Sequence, residues 1–277
     1  MQIGIRAHDT AAESFEEMVI KVREQGFTCI HVALSKSIPD FDPKPQALTP
    51  GLAMYLKRQC EAQGLDIAVL GNYLNLCDPD EERYKKSLDK YIAHLRFSRW
   101  LGAGVVGTET GAVNPEYRYE PENHSEKALS LFTERLRPVV EAAEKLGAFI
   151  AVEPVWRHIV CSPERARRVL DEIGSPNLRI IFDPVNLLCV ENAGDQDRII
   201  RDSFELLGPA IDVIHLKDFK IQNGELVSVA SGEGELDYEL LMSEIRRCKP
   251  FVQCTLEDTR PDNALRAREF VEKAFKK

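Results

Sequence analysis

The chain has 277 residues, 44% hydrophobic and 29% charged, which suits one large α/β barrel or two small domains of a globular enzyme. Its formal charge of −9 argues against a nucleic-acid partner, because a phosphate backbone calls for a basic surface. No apolar run approaches the ~20 residues of a membrane span. The seven cysteines contain no CxxC pair, and Met1 leads directly into an apolar run, so the expectation is a cytoplasmic protein with reduced thiols.

Short β-type runs alternate with amphipathic helical segments along the whole chain. The predicted strands are QIGIR (2–6), CIHVAL (29–34), DIAVLG (66–71), GVVGTE (104–109), FIAVE (149–153), RIIFD (179–183), DVIHL (212–216) and VQCTLE (252–257). Most are apolar without strict alternation, as expected for parallel strands covered on both faces. Helix starts are marked by the capping box SFEE at Ser14, with Glu17 three residues on, and by a hydroxyl cap before proline at Thr49 and Ser162. Gly26, Gly64, Gly102 and Gly147 read as helix ends in the left-handed conformation. Pro138 should kink or interrupt the long helical segment that contains it.

After those glycines the next strand begins within a few residues. The strand-to-helix connections are longer: SKSIPDFDPKPQAL, NYLNLCDPDEERYKK and TGAVNPEYRYEPENH. Extra chain at the carboxyl ends of the strands is the pattern of a (β/α)8 barrel, whose active site lies on that face. An open doubly wound sheet is the alternative, but no GxGxxG follows the first strand. The expected architecture is a single-domain TIM barrel over residues 1–277.

Four successive strands end in side chains that bind metals. Glu153 closes the fifth, Asp183 the sixth, His215 lies at the same phase in the seventh, and Glu257 closes the eighth. Their separations of 30, 32 and 42 residues are each close to one βα unit. A buried carboxylate is costly unless paired or metal-bound, and four such groups on one rim make a hard, oxygen-rich site. Such a site suits one Mn²⁺, with Mg²⁺, Co²⁺ or Zn²⁺ as alternatives, better than a closed structural zinc site. For any one of these residues a strand-end salt bridge or helix cap is the bland reading; four at matching phase argue against it.

The ordered set AVEPV, FDPVN, VIHLKD and TLED resembles the xylose isomerase-like TIM-barrel superfamily, and more narrowly its sugar phosphate isomerase/epimerase group. The resemblance spans essentially the whole chain. It implies that Glu153, Asp183, His215 and Glu257 hold one divalent ion, with carbohydrate oxygens completing the shell. It also implies that Glu153 and Glu257 act as acid and base while an enediolate forms and collapses. Dimers and tetramers among relatives imply a homo-oligomer.

Other rim positions are candidates for substrate contact: His8 beside Arg6, Asn72, Tyr73, Glu109, Trp156, Arg157, Asn186, Lys217, Asp218 and Arg260. Core packing, surface charge or a salt bridge are the ordinary alternatives for these. Ketose 3-epimerases of the superfamily carry a His three residues after the sixth-strand Asp and an Arg six after the seventh-strand His; Asn186 and Ile221 stand there. A dehydratase or other lyase acting on a keto-sugar or keto-cyclitol uses the same proton abstraction and is the main rival. The related three-zinc endonuclease IV needs a His and an Asp where this chain has Asn186 and Val213. A non-catalytic sugar-binding barrel would have no need of both Glu153 and Glu257.

Overall fold

The computed structural model describes residues 1–277. Eight parallel strands close into a barrel: β1 (Gln2–Arg6), β2 (Cys29–Val32), β3 (Asp66–Gly71), β4 (Val105–Glu109), β5 (Ile150–Glu153), β6 (Leu178–Phe182), β7 (Ile211–Leu216) and β10 (Gln253–Leu256). Pairing of β1 with β10, with Gly4 opposite Thr255, closes the ring and excludes the open sheet. A separate antiparallel hairpin, β8 (Asp218–Gln222) and β9 (Glu225–Val229), follows β7.

The helices around the barrel are α1 (Phe15–Glu24), a short α2 (Leu34–Ser37), α3 (Pro50–Ala62), α4 (Glu81–Leu101), α5 (Glu126–Leu146), α6 (Pro163–Ile173), α7 (Gln196–Leu207), α8 (Tyr238–Cys248) and α9 (Ala264–Lys276). The hydroxyls of Ser14, Thr49 and Ser162 accept from the backbone N–H of Glu17, Leu52 and Arg165, as the capping patterns predict. All four glycines predicted at helix ends have positive φ. The second predicted long loop is shorter than read, because Asp80 caps α4 and makes residues from Glu81 onward helical.

Pro138 does not interrupt its helix; α5 runs unbroken from Glu126 to Leu146. Proline inside a helix costs about 3 kcal/mol. Against that, Leu129, Phe132, Leu136, Val139 and Val140 are buried on this helix, each worth roughly 1.5–3 kcal/mol. Tertiary packing therefore outweighs the local break.

Side chains alternate across each strand and divide the core in two. Val152, Ile180, Ile214 and Leu256 face outward into the large cluster shared with the helices. Cys29, Val69, Val105, Ala151, Ile181 and Val213 form a small apolar layer inside the barrel. Two residues beyond Ala151, Ile181 and Val213 come Glu153, Asp183 and His215. The apolar layer thus lies beneath the charged one, and the barrel is sealed below its functional rim.

The hairpin turns through Asn223 and Gly224, both at positive φ, and pairs Gln222 with Glu225 across a two-residue loop. It is tied down by Asp218, which is 1% exposed. The Asp218 carboxylate accepts from the backbone N–H of Gly232, Gly234 and Leu236 at 3.1, 3.0 and 2.9 Å, and from Phe219 at 2.9 Å. A Cβ on Gly234 would fall 2.2 Å from the Phe219 carbonyl oxygen, so the returning loop is pressed against the hairpin's base. Asp218→Ala, which strands these donors, should lower stability by roughly 3–5 kcal/mol in urea denaturation. A loss under about 0.5 kcal/mol would remove this carboxylate's structural role.

Candidate active site

Four neighbouring strands, β5, β6, β7 and β10, carry Glu153, Asp183, His215 and Glu257 to the same end of the barrel. All four are buried, with exposures of 2%, 0%, 0% and 7%. His215 Nδ1 stands 3.3 Å from Glu153 Oε2 and 3.3 Å from Glu257 Oε1. Asp183 ends its strand in a tight turn: its Oδ1 accepts from the N–H of Val185 and Asn186, leaving Oδ2 to face the cluster. Beyond Glu257 the chain reverses through Asp258, a non-glycine residue at φ 53°, and Asp258 Oδ1 accepts from Arg6 Nη2 at 3.2 Å.

Lys217 joins the cluster. Its ammonium, buried with the acids, lies 2.9 Å from Asp183 Oδ2 and 3.1 Å from Glu257 Oε2. Burial alone would depress this lysine, but Asp183 and Glu257 raise it, so it stays charged. Burial depresses His215 too, and Glu257 and Glu153 push it the other way, up to about 9. Burial raises Asp183 to about 6 against the pull of Lys217. Glu257 is held well below the usual carboxylate range, because His215, Lys217 and Arg6 outweigh its burial. Glu153 is steered by neutral donors: Asn186 Nδ2 donates to its Oε1 at 2.6 Å, and the Tyr73 hydroxyl lies 3.5 Å from its Oε2.

The donor set fits a divalent ion. Ligand atoms of Glu153, Asp183 and His215 lie within 4.8 Å of one another, as do those of His31, His215 and Glu257. Both ring nitrogens of His215 are buried without an aligned hydrogen bond, which is costly unless another group completes them. Three carboxylates and an imidazole, with no thiolate, form a hard donor set.

Above the cluster opens a cavity of about 790 Å³. Of the sequence candidates, His8, Asn72, Tyr73, Glu109, Arg157, Asn186 and Lys217 line it. Burial and Arg6 lower His8 to about 4, and burial beside Glu153 raises Glu109 to about 7. Trp156 lines an adjoining groove. Two expectations need correction. Asp218 faces away from the cavity, because alternation along the strand sends Lys217 inward and Asp218 into the hairpin loop. Arg260 is exposed and pairs with Asp262 at 3.4 Å.

The cavity also contains residues the sequence reading passed over. His31 of β2 is 2% exposed, stacked against His215 at 5.2 Å and Tyr73 at 5.8 Å, with both ring nitrogens unpartnered. Space for it comes from Gly71, where a Cβ would sit 2.6 Å from His31 Nε2. Tyr117 donates to Glu109 Oε2 at 3.2 Å, and His158 meets the Tyr117 ring edge-on. Counting inward positions from Cys29 would have found His31; nothing local marks Tyr117 or His158.

A model of the xylose isomerase-like TIM barrel family matches residues 19–274. Comparison with curated proteins gives no match. Among solved structures, a D-tagatose 3-epimerase-like protein is 20% identical with a TM-score of 0.78, covering 100% of this chain and 97% of its own. The 3-keto-D-glucoside 4-epimerase YcjR from E. coli is 18% identical with a TM-score of 0.75, covering 99% of both chains. An IOLI protein with a bound zinc atom is 16% identical with a TM-score of 0.75, covering 99% of this chain and 96% of its own. At these identities the structural likeness speaks to fold, and the family match settles membership: the chain belongs to the xylose isomerase-like TIM barrel family.

Proposed function

We propose that this protein is a divalent-metal-dependent isomerase or epimerase of sugars or keto-sugars, working by proton transfer at a carbon next to a carbonyl. The observation that carries this reading is the placement of Glu153 and Glu257. They are the outer pair of the four rim residues, both 3.3 Å from one His215 nitrogen, at the floor of a polar cavity. The epimerases among the structural neighbours and the zinc-bound IOLI protein support it at the level of fold.

Asp183 and His215, between the two glutamates, would hold the ion, with Glu153 and Glu257 completing the protein ligands. When bound, a divalent ion supplies Lewis-acid charge beside the substrate's vicinal oxygens. The chain's own groups do the rest. Glu257, kept ionised by Lys217 and Arg6, would accept the α-proton. Glu153, held by Asn186 and Tyr73, would enter the reaction carrying a proton and deliver it to the other face of the carbon, while Glu257 keeps the one it has taken. The Lys217 ammonium adds fixed positive charge where the enediolate's negative charge develops. His8, Asn72, Glu109 and Arg157 offer hydrogen bonds to hydroxyls around the cavity.

Two measurements test this. Protein purified without added metal should carry about one Mn, Co, Mg or Zn per chain by mass spectrometry, and Asp183→Asn should lose it. No uptake, even after adding Mn²⁺, would remove the metal site. In D₂O, incubation with a panel of ketoses, aldoses and keto-glycosides should place deuterium on one carbon of a converted sugar. Glu257→Gln should slow that conversion by roughly 10²–10⁴-fold. Full turnover by metal-loaded Glu257→Gln would sink the base assignment, and a product lighter by one water would replace epimerisation with elimination.

A further inference from the structure

Beside the main cavity lies a groove of about 460 Å³, and the two share Tyr117, Val155, Arg157 and Asn186 as walls. A molecule passing these shared walls would reach into both spaces. Asn186, one of the shared walls, also holds Glu153 through its side chain.

The groove's floor is aromatic. Tyr119 stacks on Trp156 with ring centroids 4.9 Å apart and planes inclined by 23°, and Tyr119 is 41% exposed. The backbone under this shelf is held: the Trp156 backbone N–H donates to the Asn186 carbonyl at 2.7 Å, and the Trp156 carbonyl lies 2.7 Å from His124 Nε2. One side of the hairpin strand β9 also lines the groove, through Leu226 and Ser228, and Arg118, Glu191 and Glu225 are among its polar lining residues. An aromatic floor edged by hydrogen-bonding groups matches the two sides of a pyranose ring, whose C–H face is apolar and whose rim is hydroxylated. An apolar ligand would leave those edge groups unmatched.

We infer that this groove is a second sugar subsite, and that the substrate class is a glycoside or disaccharide whose reacting ring sits over Glu153 and Glu257 while the attached ring packs on the exposed face of the Tyr119–Trp156 stack. The inference rests on the proposed sugar chemistry for the choice of reacting ring, but the groove can be tested without turnover. A single free hexose over Glu153 and Glu257 would leave the shelf uncovered.

The chain has two tryptophans, so Trp100→Phe, on the exposed face of α4, leaves Trp156 as the sole reporter. The probes are cellobiose, maltose, lactose and methyl β-D-glucopyranoside, set against D-glucose and D-fructose. At least one disaccharide should change Trp156 emission saturably at roughly tenfold lower concentration than either hexose. Tyr119→Ala, and independently Leu226→Arg in β9, should abolish that advantage while leaving the hexose response unchanged. Equal responses to hexoses and disaccharides, or an advantage that survives both variants, would overturn the subsite. So would Trp156 emission that changes with protein concentration alone, which would mark the groove as a face for a second copy of the chain. A disaccharide advantage in a protein that converts no sugar would retain the groove and sink the proposed reaction.

Discussion

Three carboxylates buried at one end of a barrel repel one another and resist leaving water, and the rest of the site is arranged around that cost. Glu153, Asp183 and Glu257 share one imidazole and one ammonium, and Arg6 approaches Glu257 from β1 at 3.8 Å. Each positive or donating group comes from a different element: β1, β7, the residue after β7, and the turn after β6. β5, β6, β7 and β10 are consecutive neighbours in the barrel, and the pairing of β1 with β10 sets Arg6 beside Glu257. The apolar layer formed by Ala151, Ile181 and Val213 then keeps water from reaching the charges from below.

The residues that could be read from sequence are those whose position follows from strand period and strand end. Glu153, Asp183, His215 and Glu257 stand out because each closes an apolar run, and the spacing between them repeats. Applied strictly, the same period would have separated Lys217 from Asp218, since neighbours on a strand face opposite ways. His31 was hidden because it sits inside an apolar run and looks like core. The hairpin had a local signature, Asn223–Gly224 between β-prone residues, but it lies where the barrel pattern predicts only a connection to a helix. Pro138 failed as a breaker because its helix is held by burial, which no local rule contains. Tyr117 and His158 belong to long connections, and their places depend on how those connections fold against the rim.

The cavity and the groove differ in how their walls are made. Around the charged cluster most groups come from strand ends, where barrel geometry fixes them closely. The groove is built from connections: the β4–α5 segment supplies Tyr119, the turn after β5 supplies Trp156, and the hairpin supplies Leu226 and Ser228. Backbone hydrogen bonds from Trp156 and the Asp218 carboxylate give these connections an order they would otherwise lack.

That division has an evolutionary consequence. The hairpin is anchored at its base, where Asp218 binds the loop that follows it, and contributes no member of the charged cluster. Its tip can therefore lengthen, shorten or change composition without disturbing the charged cluster. Drift in that one excursion would alter which molecules are admitted while the reaction itself is inherited unchanged. A lineage built on this plan can diversify its diet long before it changes its chemistry.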